Sequence, residues 1–315
     1  MLYDYCLSTG NMLKEEEKEI GWARGAIRAM FGTDCLPRIN LNEKTLQGVA
    51  LSHVKQGQTV AGVQKKLSLG FDPKDKKRLT IADCPTGYIL KPQGELPFFP
   101  EAENLVMQMA DRARIPTVPH GLLPLEDESL AYICKRIDRR NGQKVAMEDF
   151  CQLSKRLTEN KYSGSYESGK NIIYRYSSRP RIDIVEYFVR LVFCFLTLNS
   201  DMHWKNFSLV ESEDGFVMSP AYDLLPVNLV YPADKEETAL TLNGKKKGLR
   251  LKDFLSFAIA GGEQVRIEEK TARRLIQRLL SYEDAFISLI EHSYLNKEYK
   301  NRFISLMKER FDRLR

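Results

Sequence analysis

The sequence predicts an α+β protein of two lobes, a small strand-rich lobe followed by a larger helical one. From about Val49 to Arg139 it runs in short β-type stretches, 66–71, 86–91 and 132–136, around one helical pattern that begins near Pro100. Beyond Lys144 such stretches largely stop and long helical periodicities take over. With 315 residues, 43% of them hydrophobic, the chain can bury a large core.

Taken in order, residues 15–31 carry an amphipathic pattern that ends at Gly32, with Pro37 behind it. They read as the helix of an N-terminal appendage covering 1–45. The strand-rich lobe covers 46–140, and its helix, 101–114, places Ala102, Leu105, Met109 and Ala113 at helical spacing. The helical lobe covers 141–315. Within it, 160–178 is rich in Gly, Ser and Tyr and reads as a long loop. Helices are expected over 183–197, 251–259, 268–281, 283–292 and 298–314, with Leu275, Ile276, Leu279, Phe286, Leu289 and Phe303 completing the core.

Composition narrows the functional classes. The longest apolar stretch, 191–198, falls far short of the ~20 residues that a membrane-spanning helix needs, and the acidic run from Glu15 to Glu19 is unlike a signal peptide. A cytoplasmic protein without membrane contact is expected. The six cysteines show no CxxC spacing, as befits reduced thiols. A net charge of +6 arises from 48 basic against 42 acidic residues, so most charges offset one another. The clusters Lys65-Lys66, Lys74 to Arg78 and Lys245 to Lys247 read as solvated faces, and no direct nucleic-acid contact is expected.

The strongest local signal is Asn199-Ser200-Asp201-Met202-His203-Trp204-Lys205-Asn206, after an apolar helix and before a strand-like run. An Asp with an Asn five residues later is the spacing of a kinase catalytic loop: the Asp accepts the substrate hydroxyl, and the Asn offers magnesium a neutral oxygen. Alone, such a pair serves a polar turn equally well. Asp223 lies 22 residues after Asp201, a distance comparable to that of the second magnesium-binding Asp in kinases. Alone it is equally a helix cap. Lys91 ends a strand-like run, where a kinase lysine reaches the ATP phosphates, and Glu101 or Glu103 could hold it. Gly57 and Gly62 would let backbone amides approach phosphate, although the segment matches neither G-x-G-x-x-G nor Walker A.

Five ordered segments carry a resemblance. Thr59-Val60-Ala61-Gly62-Val63-Gln64-Lys65-Lys66, Tyr88-Ile89-Leu90-Lys91-Pro92, Lys135-Arg136-Ile137-Asp138-Arg139, Asp201 to Ser208 and Pro220 to Leu225 resemble the HipA-like toxin serine/threonine kinases in order and spacing. The resemblance implies a bilobal protein-kinase-like fold, ATP and Mg²⁺ as cofactors, Asp201 as catalytic base, and Asn206 and Asp223 as metal ligands. It further implies nucleotide contacts from Lys91, from the hinge at Lys135 and Ile137, from His203 and Lys205, and from a phosphate loop holding Thr59, Ala61, Gly62 and Val63. Thr59 takes the autophosphorylation position, normally serine, and Leu198 stands where the family usually has glycine. The implied partners are an antitoxin, either DNA-binding or equivalent to the N-terminal subdomain of larger members, and an aminoacyl-tRNA synthetase as substrate, so that translation is inhibited. The alternatives are a pseudokinase that binds nucleotide without transfer and a small-molecule phosphotransferase on the same scaffold.

Overall fold

Short runs of buried side chains, alternating over Leu67–Phe71 and continuous over 120–123 and 131–134, build the sheet of the first of two units, Met1–Gln108, Val118–Gln143 and His292–Leu295. The structure is a computed structural model and describes residues 2–39, 66–75, 77–81, 86–140 and 142–315. The strands are β1 (Arg38–Ile39), β2 (Leu67–Phe71), β3 (Arg78–Ile81), β4 (Tyr88–Lys91), β5 (His120–Pro124) and β6 (Leu130–Lys135). Their order is β1-β3-β2-β4-β6-β5, antiparallel except for the parallel pair β1/β3. Register sets Lys91 of β4 opposite Tyr132 of β6. Helix α2 (Phe99–Arg112) follows β4, and the division between the units falls within it.

The N-terminal segment belongs to this first unit. A helix is expected over 15–31, but two pieces form instead, a 3₁₀ turn at Glu15–Glu17 and α1 (Arg24–Phe31). The break has a local cause. The Glu17 carboxylate accepts the backbone N–H groups of Lys14 and Arg24, and Gly21 sits at φ +74, outside any right-handed helix. Trp22 is fully buried, and its indole N–H donates to the Leu122 carbonyl at 2.8 Å. Leu122 in turn donates its N–H to Leu7 at 3.0 Å. From far along the chain, Tyr294 donates to the Tyr5 carbonyl and His292 stacks on Tyr5 at 4.3 Å.

After β7 (Arg139–Arg140) and β8 (Gln143–Lys144), the second unit comprises Met109–Thr117, Lys144–Glu291 and Asn296–Arg315. A three-stranded antiparallel sheet, β11 (Gly215–Met218), β10 (Ser208–Ser212) and β9 (Met147–Asp149), accompanies the helices α3 (Phe150–Leu153), α4 (Tyr166–Tyr176), α5 (Pro180–Leu196), α6 (Val227–Val230), α7 (Leu251–Ile259), α8 (Glu269–Leu280), α9 (Glu283–Glu291) and α10 (Lys297–Asp312). Pro180 opens α5 at a position where no N–H is needed, and from Tyr187 to Leu196 every side chain is buried.

The long loop expected over 160–178 is corrected: α4 occupies most of it. The buried face of α4 is made by Tyr166, Gly169, Lys170, Ile172 and Ile173, so it holds glycine and lysine among its core positions and shows little apolar periodicity. Gly169 is needed because a Cβ there would lie 2.4 Å from the Tyr187 hydroxyl of α5. Lys170 donates to the carbonyls of Phe257 and Ala260 and so caps the end of α7. Among the described residues no helix is long and apolar enough to cross a membrane. Cys6, Cys151 and Cys194 are buried free thiols, Cys35 is an exposed one, and Cys134 is buried in β6.

Candidate active site

In the first unit, β4 ends by pointing Lys91 into the interior, where its side chain is 2% exposed. A buried ammonium needs a partner, and α2 supplies one: Lys91 Nζ bonds Glu103 Oε1, a carboxylate that is itself 1% exposed. Of the two candidate glutamates, Glu103 is therefore the one that holds the lysine. The Tyr132 ring lies beneath Lys91, 5.1 Å from Nζ to its centroid. His120 stacks on Tyr132, and its Nδ1 is 3.0 Å from Asn104 Oδ1, while the Asn104 amide donates to the Leu7 carbonyl at 2.9 Å. A connected polar and aromatic chain thus runs from the N-terminal segment to the lysine.

Glu101 stands two residues before Glu103 on the same helix. Burial pushes its carboxyl up to about 7, and Oε2 is buried with no hydrogen-bond partner among the described residues.

The hinge candidates also lie in the first unit. Lys135 is exposed and donates its backbone N–H to Pro119 at 2.8 Å, and Arg136 donates its own to Gly87. Ile137 follows in a half-buried bend. Arg136 grips Asp138 through two hydrogen bonds of 2.8 and 2.7 Å, and Arg139 adds a third, so this turn is pinned by charge-assisted bonds. The adjacent guanidinium groups overcome burial and hold the Asp138 carboxyl below its ordinary value.

In the second unit, the chain leaves α5 through Leu198 at φ +64. This left-handed turn explains the preference for glycine at such a position, and here the strain is retained because the leucine side chain is 2% exposed in the core. Asn199 then caps the turn by accepting the Asp201 N–H at 3.1 Å. Asp201 is followed by a 3₁₀ turn at Trp204–Asn206, and the Asn206 side-chain Nδ2 donates to the Asp201 carbonyl at 2.8 Å. That bond uses the donor end of the amide and leaves Oδ1 as the end able to meet a cation.

Asp223 adopts φ +54 in the segment after β11, where Ala221 N–H bonds the Pro116 carbonyl at 2.7 Å. Asp201 and Asp223 sense each other: burial, Asp223 and Asp234 raise the Asp201 carboxyl, whereas Tyr162 and Lys161 oppose them. His203 is 6% exposed with its ring edge-on to Tyr162, 5.0 Å between centroids. Lys205 pairs with Asp149 at 3.3 Å, and Tyr222 donates to the Lys205 carbonyl at 3.1 Å.

The structure thus brings Asp201, His203, Lys205, Asn206 and Asp223 together in one unit and Lys91, Lys135 and Ile137 in the other. Thr59, Ala61, Gly62 and Val63 lie outside the described residues. Among the described residues no cluster of three or more His, Cys, Asp or Glu forms a metal cage. Sequence reasoning passed over Tyr162 and Lys161 as neighbours of Asp201, because they lie about 40 residues away and nothing in the local pattern links them.

Comparisons with known proteins bear on the family and the fold. Residues 58–286 match the HipA-like C-terminal domain family. A Sinorhizobium fredii protein named putative kinase Y4dM is 32% identical over 243 residues, 70% of this chain and 58% of that protein. A putative kinase of Haemophilus influenzae is 28% identical over 202 residues, 60% of this chain and 58% of its own. The chain therefore spans less than two thirds of the length of these curated relatives. Among solved structures, HipA of Shewanella oneidensis, determined with HipB and operator DNA, superposes with a TM-score of 0.69 at 17% identity, covering 96% of this chain and 80% of that one. CtkA, a proinflammatory kinase of Helicobacter pylori, gives a TM-score of 0.54 at 12% identity over 75% of this chain and 88% of its own. Both likenesses are of fold, and the fold is the α+β kinase-like one.

Proposed function

The chain belongs to the HipA-like C-terminal domain family, and from that premise we propose that it is an ATP- and magnesium-dependent protein serine/threonine kinase. The observation that carries the reading is the tie from the Asn206 amide to the Asp201 carbonyl, which holds a candidate base and a neutral metal ligand in fixed relation. Asp201 receives the proton of the acceptor hydroxyl as its oxygen bonds the γ-phosphorus and the bond to the ADP oxygen breaks.

Lys91, held by Glu103, binds phosphate oxygens. Asn206 Oδ1 and the Asp223 carboxylate are hard oxygen donors of the kind Mg²⁺ prefers, and the repulsion between Asp201 and Asp223 is of the kind a divalent cation relieves. When bound, the ion neutralises charge on the phosphates.

The kinship extends the proposal to a toxin that works with an antitoxin partner, phosphorylates an aminoacyl-tRNA synthetase and itself at Thr59, and acts in the cytoplasm. Support for the antitoxin comes from the HipA neighbour, which was determined in a complex with HipB and operator DNA. The test is phosphate incorporation from γ-labelled ATP with Mg²⁺ into the chain and into a synthetase panel. Wild type should incorporate label and Asp201→Asn should lose at least about 100-fold. Equal labelling by both chains would exclude Asp201 as the base, and ATP binding without any transfer would favour a pseudokinase.

A further inference from the structure

A carboxylate that accepts a proton from an incoming hydroxyl works only if one oxygen faces that hydroxyl, yet the terminal torsion of aspartate is soft. Something must hold it. In the second unit the Tyr162 hydroxyl donates to Asp201 Oδ1 at 2.7 Å. Tyr162 keeps its proton to donate, because burial and the neighbouring Asp201 charge push its phenol up.

The tyrosine is in turn held by the loop that bears it. Trp204, within the catalytic loop, donates its indole N–H to the Ser163 carbonyl at 2.8 Å and its backbone N–H to Lys161 at 3.3 Å. Tyr166 donates to the Met202 carbonyl at 2.9 Å. The Tyr162 ring meets His203 edge-on, and the Lys161 ammonium lies 4.9 Å from its centroid. The loop at 161–166 and the catalytic loop therefore form one hydrogen-bonded body. At 44% exposure Tyr162 contributes too little burial to explain its place by packing alone.

Resting on the kinase reading, we propose that Tyr162 is a positioning residue of phosphoryl transfer: its hydroxyl pins Asp201 Oδ1 and leaves Oδ2 to meet the acceptor hydroxyl. Lys161, Asp223 and Asp234 surround the same carboxylate, but they are charges rather than donors in contact with Oδ1. Among the described residues, the Tyr162 hydroxyl is the donor that fixes its rotation.

The test is a double-mutant cycle between Tyr162→Phe and Asp201→Asn, with steady-state transfer to a degenerate peptide pool bearing a central serine or threonine, and ATP affinity measured by calorimetry. The phenylalanine keeps the ring against His203 and removes only the hydroxyl. In the wild-type background Tyr162→Phe should lower kcat about tenfold, the worth of one hydrogen bond to a charged group, with ATP affinity and KM for ATP unchanged. In the Asp201→Asn background it should lower the residual rate no further. An equal loss in both backgrounds would mean a merely structural tyrosine, and a faster variant would mean that the hydroxyl blocks the acceptor's place. Either overturns the proposal, as does an unaltered rate. An active wild type with undiminished Tyr162→Phe removes the positioning role alone, whereas a wild type that binds ATP and transfers nothing removes the kinase reading with it.

Discussion

Lys91 and Glu103 are withdrawn from water almost completely, so each charge depends on the other. Removing one partner takes the buried counter-ion from the other: Lys91→Met should cost about 3–5 kcal/mol of stability, whereas Lys91→Met combined with Glu103→Leu should recover most of it, since a buried pair replaced by apolar groups is often near neutral. On the proposed role of Lys91 both variants should fail to bind ATP, because each lacks the lysine that would meet the phosphates. Denaturant midpoints and calorimetric ATP titration separate the two effects, and a double variant that binds ATP would show that the ion pair serves only the fold. The spacing of Asp201, Asn206 and Asp223 could be read from the sequence because it lies within short segments. The choice between Glu101 and Glu103 could not, since both fall in the first turn of the helix expected over 101–114 and only the docking of α2 against β4 decides which one reaches the lysine. Tyr162 was hidden for a related reason: its tie to Asp201 is made by tertiary folding across 39 positions.

Among the elements, α2 holds a group whose charge the fold disfavours. Glu101 releases its proton only near pH 7 when folded, against an ordinary value of 4.5. Below about 4.5 both folded and unfolded chains carry the neutral acid, and burial costs nothing extra. Between 4.5 and 7 the unfolded chain ionises first, so stability falls as pH rises, and above 7 the full penalty, up to about 3 kcal/mol, is present. Glu101→Gln should therefore match wild type near pH 4 and exceed it in stability at pH 8. Denaturation midpoints at the two pH values check this, and a pH-independent difference would mean that the carboxyl is solvated. Helices with a clean apolar stripe, α7 to α10, were legible within a residue or two, as was the lysine-bearing strand. By contrast α4 was not, because its buried face uses Gly169 to admit Tyr187 and Lys170 to cap α7, two residues that periodicity counts as exposed or as turn formers. Strand β5 escaped as well, its buried face being interrupted by Gly121 and bounded by prolines.

At the scale of the whole chain, the two-lobed order of strands then helices followed from composition along the sequence, but the role of the first 39 residues did not. Read locally, they offer one amphipathic helix over 15–31 in an appendage. In the fold they complete the first unit, and Leu7 anchors Asn104, which orients His120 against Tyr132 beneath Lys91. The anchor of the segment is Trp22, which occupies the space over Gly121, where an added Cβ would lie 2.5 Å from the indole ring. Trp22→Ala should cost about 3–5 kcal/mol through the cavity it leaves and the lost indole bond to Leu122. Gly121→Ala should destabilise by forcing the indole out of its seat. The two costs should not add, because removing the indole relieves the closest clash and leaves the methyl group only the Ser8 Cα at 3.2 Å to meet: the double variant should be less destabilised than the sum of the single variants. ATP affinity should fall in both single variants along with stability if the chain from Leu7 to Lys91 transmits the anchor. Additive stability losses would place the two residues apart, and an ATP affinity equal to wild type in Trp22→Ala would confine the segment to a structural role remote from Lys91.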